Sequence, residues 1–360
     1  MSRRMSRMDH RMSRIRLYPS GKEVECLHGD TVLSALEKAG YALPNNCRAG
    51  ACGECRVKVK SGSFDQGMVL DMALSPEHRA EGYGLMCMAK PISEVLEIEW
   101  GTEDAKPKLF PPRENVYFVV TDRIMRTPRI LELVVKPLGA PVRYWPGQNM
   151  MIGDASAGAP PRCYSIANAP RADGELSFHI TRADGGATSA WLHDKVAVGD
   201  LIKLSGAYGT FIGDPSVDTP VLCLAAGSGL APILALAEAA LRRNFRHPVT
   251  LMFSARTETD IYCKGMMAWW AAKHPRFEFR PTLTRTAAVS DCLHGRIPAL
   301  LPQLFPDLSG HSIFVAGTPE FVEDCVKAAQ ALGAKPEFIH TEGYFDQQGP
   351  EVVPADRLVT

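Results

Sequence analysis

Residues 43–57 read Leu-Pro-Asn-Asn-Cys-Arg-Ala-Gly-Ala-Cys-Gly-Glu-Cys-Arg-Val, and one more cysteine follows in Leu85-Met86-Cys87-Met88-Ala89. Cys47, Cys52 and Cys55 form a C-x4-C-x2-C run, with Cys87 standing 32 positions beyond the third. Four soft thiolates at that spacing suit a [2Fe–2S] cluster, leaving each iron tetrahedral between sulfide and cysteine. Gly50 and Gly53 fall between the ligands, where the loop must wrap tightly and turn backbone N–H groups toward sulfur. A zinc ribbon would present two C-x2-C pairs, whereas here the fourth cysteine stands alone.

Outward from this loop, residues 14–27 read as two short strands around Ser20-Gly21, and Asp30-Thr31 caps an amphipathic helix, VLSALEKAG, that Gly40 ends. Two strands, a helix and a cysteine-rich loop predict a small α+β domain over residues 14–101. Residues 102–113 hold three prolines among mixed charges and are expected to be a linker. Over 114–213 apolar residues alternate in short runs such as VYFVV, RILELVV and ELSFHIT, a spacing that suits an antiparallel β-barrel. Beyond Pro220 apolar strands (VLCLAA, VTLMFSA, FEFRPTL, SIFVAG) alternate with helices, which predicts a parallel, helix-covered sheet over 214–346, with 347–360 as a tail. The expected class is multidomain, α+β followed by barrel and α/β.

Forty Lys and Arg balance forty Asp and Glu, so no whole-molecule field argues for nucleic acid or an anionic membrane as partner. The longest uncharged stretch, Val221 to Ala237, is broken by Gly227, Gly229 and Pro232, and reads as strand, glycine turn and helix instead of a membrane span. The N-terminal MSRRMSRMDHRMSR carries five arginines and no apolar core, which excludes a secretory signal and predicts a cytoplasmic protein, with Met5, Met8 and Met12 as alternative starts. In a reducing compartment the scattered Cys26, Cys163, Cys223, Cys263, Cys292 and Cys325 are expected as small hydrophobes.

The segment from Leu43 to Cys55 resembles the cluster loop of plant-type ferredoxins, and the strand–strand–helix order before it matches their β-grasp fold. Arg162-Cys163-Tyr164-Ser165 resembles the R-x-Y-S motif of the ferredoxin–NADP⁺ reductase family. That resemblance implies an arginine fork on a flavin phosphate, a tyrosine stacked on the isoalloxazine and a serine hydroxyl near N5. Gly185-Gly186-Ala187-Thr188-Ser189, ahead of AWLHDKV, resembles the second phosphate segment, so Gly186, Thr188 and Ser189 are expected at the pyrophosphate; the same donors also serve as a helix cap. Gly206 to Phe211 resembles G-x-x-G-x-F, with Ala207 replacing the usual proline. His179 and His193 are expected to be ordinary barrel or surface histidines.

Gly227-Ser228-Gly229-Leu230-Ala231-Pro232 lacks the third glycine of G-x-G-x-x-G and resembles instead the family's G-x-G-x-A-P turn, where backbone meets a nicotinamide pyrophosphate at a helix start. Val315-Ala316-Gly317-Thr318-Pro319 resembles its second turn; Ala316 stands where plant members carry cysteine, so no thiol is expected at the nicotinamide. Glu342-Gly343-Tyr344 resembles the acidic-x-aromatic element beside the flavin ring. By this resemblance Ser165, Tyr164 and Glu342 serve the reaction, while Arg162, Gly227, Gly229, Pro232, Gly317 and Tyr344 bind cofactor. Arg256, Thr284 and Arg285 match positions near the adenosine ribose and favour a 2′-phosphate, whereas Glu258 and Asp260 favour a free hydroxyl; the expectation is NADH, with NADPH as the alternative.

The series spans residues 14–346 and resembles the reductase components of bacterial multicomponent oxygenases. It implies an NAD(P)H-dependent oxidoreductase that uses FAD and a [2Fe–2S] cluster to pass electrons to a terminal oxygenase component or its ferredoxin. A nicotinamide gives two electrons as hydride and a cluster accepts one at a time, so a flavin between them is required chemistry. Two alternatives remain: the same architecture serving a deoxysugar dehydratase, and a redox sensor without turnover. The final substrate is chosen by the partner.

Overall fold

The computed structural model describes residues 12–214, 218–243, 245–285 and 291–344. The arginine-rich residues 1–11 and the expected tail 347–360 lie outside the described residues. The first body contains β1 (Ser13–Tyr18), β2 (Glu23–Cys26), α1 (Val32–Lys38), β3 (Arg56–Ser61), β4 (Phe64–Asp65), α2 (Pro76–Ala80), β5 (Tyr83–Leu85), β6 (Lys90–Pro91) and β7 (Val95–Glu99). Its main sheet has the order β2-β1-β7-β3-β5, with β1 and β7 parallel, and α1 packs across it as in a β-grasp. Thr31 caps α1 by accepting the Ser34 N–H, while Leu33 and Leu36 of the helix bury against Ile15, Leu17, Leu96 and Ile98.

The expected linker is a pinned strap. Lys108 and Leu109 donate backbone hydrogen bonds to the Gly40 carbonyl at 2.8 and 2.9 Å. Trp145 donates its indole N–H to Lys108 O at 3.0 Å and stacks on Phe110 at 5.5 Å. Gly40 has φ +82°, and a Cβ there would stand 2.8 Å from Leu109 O, so the helix end and the strap fit only around glycine.

The second body is a six-stranded antiparallel sheet made of β8 (Arg113–Thr127), β9 (Ile130–Pro137), β10 (Asn149–Asp154), β11 (Ala159–Ser165), β12 (Leu176–Thr181) and β13 (Leu201–Tyr208), with α3 (Ala187–Asp194) between β12 and β13. The order is β11-β10-β13-β8-β9-β12, and an antiparallel bridge from Ile166 to Phe178 curls one edge onto the other. Alternating residues, among them Phe118, Leu133, Phe178, Ile202 and Leu204, fill the interior.

The third body holds β14 (Val221–Ala226), α4 (Leu230–Arg242), β15 (Val249–Ala255), α5 (Lys264–Lys273), β16 (Phe277–Leu283), β17 (Leu293–His294), α6 (Ile297–Leu304), β18 (Ser312–Gly317), α7 (Pro319–Ala331) and β19 (Ile339–Gly343). All six strands are parallel in the order β17-β16-β15-β14-β18-β19. Along β14, Cys223 and Ala225 face one apolar layer with α4, while Leu222 and Leu224 face the other with Leu301 and Cys325, so both faces are covered. The uncharged Val221–Ala237 stretch resolves into β14, a 3-10 turn and α4, and no helix among the described residues is long and apolar enough to cross a membrane.

Candidate redox site

The cluster loop leaves α1 and enters β3. Gly50 (φ +69°) and Gly53 (φ +79°) turn left-handed, and a Cβ on Gly50 would stand 3.0 Å from Val69 Cγ1. Cys47 Sγ accepts N–H groups from Ala49 at 3.5 Å and Ala51 at 3.4 Å, and Cys55 Sγ accepts the Cys87 N–H at 3.4 Å. The amides directed at Cys47 thus come from Ala49 and Ala51, the residues that flank Gly50. Among the described residues no three His, Cys, Asp or Glu side chains close on one point as ligands of a single ion would. The thiols are instead arranged as two pairs, Cys47 with Cys52 and Cys55 with Cys87. Two cysteines to each of two irons is the donor set of a [2Fe–2S] cluster, so the residues fit that group.

A cavity of about 510 Å³ opens where the three bodies meet. Asn46 and Cys47 come from the cluster loop, Arg162, Tyr164 and Ser165 from β11, Gly186, Thr188 and Ser189 from the start of α3, and Glu342 to Tyr344 from the end of β19. Asn46 Nδ2 donates to Gly343 O at 2.7 Å, tying the cluster loop to the last strand. Ser165 Oγ lies 3.2 Å from both Glu342 carboxylate oxygens and 3.1 Å from the Tyr344 hydroxyl, although 177 and 179 positions separate them in sequence. Burial pushes the Glu342 carboxyl up to about 8 against the opposing hydrogen bond from Ser165, so it is mostly protonated at neutral pH. The half-buried Tyr164 phenol is likewise pushed up by burial.

Gly186 is the N-cap of α3 and offers no side-chain cap. The hydroxyls of the first turn are committed elsewhere: Thr188 Oγ1 donates to Pro160 O, and Ser189 Oγ donates to Gly186 O at 3.0 Å. Backbone amides of the first turn are therefore the donors open to a phosphate. Asn149 Oδ1 is buried without a hydrogen-bond partner on the same cavity wall, an orphaned acceptor that suits a donor-bearing ring such as an isoalloxazine.

A second cavity, about 920 Å³, runs along the carboxyl ends of β14, β15 and β16 and shares Thr181, Ala183, Asp184, Ser228 and Tyr344 with the first. Such a crevice beyond the strand ends is where open parallel sheets take ligands. Gly227 lines it, whereas Gly229, Pro232 and Gly317 are not among its lining residues. A Cβ on Gly229 would collide with the Ala316 carbonyl, and one on Gly317 would stand 2.7 Å from the Phe321 ring. Pro232 is buried in the first turn of α4. Arg256 and Thr284 line the cleft, but Arg285 does not; its N–H donates to Arg256 O at 3.0 Å.

The two carboxylates singled out near the ribose are both engaged. Glu258 pairs with Lys264 at 3.3 Å away from the cleft, and Asp260 Oδ2 accepts from the Thr257 N–H and hydroxyl at 3.0 and 2.8 Å. Sequence reasoning missed three other lining arginines, Arg129, Arg182 and Arg296, paired respectively with Asp184, Asp194 and Asp324. His179, expected as a barrel or surface histidine, is a barrel residue that also reaches the site. The ring is buried on β12, lines the flavin-side cavity and faces Tyr262, whose hydroxyl bridges His179 Nδ1 (3.2 Å) and Gly227 O (3.1 Å). Burial pushes the His179 imidazole down to about 4, so it is neutral. No local pattern marks this pair; a buried histidine and tyrosine 83 positions apart become partners only through the fold. His193, by contrast, sits 2.9 Å from Ile180 O and is structural. Of the scattered cysteines, Cys26, Cys223 and Cys325 are buried, and Cys163, Cys263 and Cys292 half-buried.

Three family descriptions cover the chain in order: a 2Fe-2S iron-sulfur cluster binding domain over residues 15–91, an oxidoreductase FAD-binding domain over 118–212 and an oxidoreductase NAD-binding domain over 223–327. The reductase subunit of an aromatic O-demethylase from Amycolatopsis sp. is 34% identical over 331 residues, covering 90% of this chain and 96% of the relative. The reductase component of phenol 2-monooxygenase from Pseudomonas sp. is 31% identical, covering 75% and 76%. The crystal structure of the Amycolatopsis cytochrome P450 reductase superposes with a TM-score of 0.83 at 30% identity, covering 92% of this chain and 98% of that one. The chain belongs to the family of iron–sulfur flavoprotein reductases that serve oxygenase systems.

Proposed function

We propose that this chain takes hydride from NADH in the cleft and delivers single electrons, by way of the flavin cavity and the cluster loop, to a separate oxygenase component or its ferredoxin. One observation carries the reading: the two cavities share a wall at Ser228 and Tyr344, and Asn46 and Cys47 of the cluster loop form the far wall of the first. FAD, when bound, supplies the conversion of hydride into single electrons.

The chain's own residues position and protect. Arg162 and the open amides of α3 hold phosphate, while Tyr164 and Tyr344 supply aromatic surface to the ring. Ser165 Oγ, braced by protonated Glu342, holds or releases a proton at the reacting edge. Arg256 is the cleft arginine without an acidic partner among the described residues. The other cleft arginines are paired with carboxylates and Asp260 also lines the cleft, so a 2′-phosphate bearing nearly two charges meets little uncompensated positive charge, which supports NADH as the preferred donor. The oxygenase systems in the relatives' names support an oxygenase as the acceptor, and the lack of a membrane-spanning helix among the described residues fits a cytoplasmic site.

Cys52→Ser tests the order of carriers. The variant should keep FAD and NADH-driven ferricyanide reduction while cytochrome c reduction collapses, because ferricyanide takes electrons at the flavin and cytochrome c beyond the cluster. Loss of both activities with FAD still bound would break the reading.

A further inference from the structure

Arg48 occupies an unusual place. It is the residue between the first cluster ligand and Ala49, it adopts φ +54°, and non-glycine residues are uncommon in that left-handed region unless their surroundings hold them there. What holds it crosses two bodies. Its Nη1 lies 2.5 Å from Glu37 Oε1 at the end of α1, with the side chains only 17% and 3% exposed, and 3.5 Å from Asn45 Oδ1. On its other side the guanidinium lies over the Tyr208 ring of β13, 4.1 Å from the centroid. Tyr208 pairs in register with Asn149, the residue whose orphaned oxygen lines the flavin-side cavity. The carboxylate of Glu37 is also approached by the Gly209 amide of the barrel.

We propose that Arg48 is a positioning residue for internal electron transfer: stacked on Tyr208 and paired with Glu37, it clamps the cluster loop against the barrel strand beside the flavin cavity and fixes the distance between the two carriers. The inference rests on the proposed path from flavin to cluster. The Glu37 pair makes the side chain rigid within its own domain, and the cation–π contact transmits that rigidity across the interface. A loose strap between the bodies would make such a clamp useless, but the Lys108–Gly40 and Trp145–Lys108 hydrogen bonds already restrict the approach. The cluster loop thus meets the barrel at Arg48 and the last strand at Asn46, on either side of Cys47.

Removing the arginine alone strands a buried carboxylate and can unfold the loop, so the decisive variants lie on the barrel side. Tyr208→Leu removes the aromatic face, and Tyr208→Phe keeps it. The purified holoprotein is mixed anaerobically with NADH, and flavin reduction, cluster reduction, cluster midpoint potential and iron content are measured for wild type, both Tyr208 variants and the Arg48→Gln/Glu37→Gln pair. Flavin reduction should match wild type in all of them. Flavin-to-cluster transfer should fall several-fold in Tyr208→Leu and in the double variant and stay near wild type in Tyr208→Phe, since electron tunnelling decays exponentially with the distance between carriers. The cluster potential should not move in Tyr208→Leu. Wild-type transfer in Tyr208→Leu with full iron content overturns the clamp, as does a slowing that a shifted potential accounts for. No cluster reduction in wild type would overturn the electron path itself, and the clamp with it.

Discussion

Glu342→Gln is the perturbation that isolates the buried carboxyl behind Ser165. The side chain is 6% exposed, and its pKa rises from the ordinary 4.5 to about 8 because burial disfavours the anion. A carboxyl whose folded pKa is raised contributes stability that is fully present below its unfolded value and is lost as pH rises toward the folded one. Each pH unit in that window is worth about 1.4 kcal/mol, so wild type should lose about 2–3 kcal/mol relative to Glu342→Gln between pH 6 and pH 8. Glutamine keeps the shape and the hydrogen bond to Ser165 but cannot ionise. Urea unfolding of the flavin-free proteins, wild type and variant, at the two pH values measures the difference directly. Parallel pH profiles for the two proteins would refute the claim that Glu342 is buried and neutral. In the holoprotein the same substitution should slow the proton-linked part of NADH oxidation while leaving FAD bound.

Arg162→Ala should lower FAD affinity about tenfold or more, since a charge-assisted pair with phosphate is worth ~1.5–3 kcal/mol; the flavin-to-protein ratio on dilution to the micromolar range is the readout. Steady-state rates should give a higher kcat/KM for NADH than for NADPH, and Arg256→Ala should depress the NADPH value more than the NADH value, because Arg256 is the arginine left to meet a 2′-phosphate. An equal loss for both nucleotides would place Arg256 on the pyrophosphate instead.

The parts of this fold legible in sequence are those written locally. Four cysteines at fixed spacing, Thr31 before an amphipathic run and a glycine pair between strand and helix each impose their geometry over a few residues. The three-body order followed from the change of apolar period near Pro220. What sequence could not show are partners that the fold brings together. Ser165 and Glu342 meet across 177 positions, His179 and Tyr262 across 83, and Arg48 finds Tyr208 on another body. Side-chain partners were not legible either: Glu258 turns to Lys264, Asp260 lines the cleft while accepting from Thr257, and the Thr188 and Ser189 hydroxyls brace the chain. The segment 297–304, to which no element was assigned, forms α6 although it carries Pro298 and Pro302, with Ile297 and Leu301 buried against the sheet.

Electrons in this chain are proposed to run linearly from nicotinamide through flavin to cluster. Anaerobic rapid mixing of the holoprotein with less than one equivalent of NADH, following flavin absorbance alongside freeze-quenched paramagnetic resonance of the reduced cluster, tests it most directly. On a linear path flavin bleaches first, the cluster signal then grows as flavin colour partly returns, and chain stripped of FAD but retaining its iron shows neither change. Reduction of the cluster by NADH in the FAD-free chain at the holoprotein's rate would contradict it.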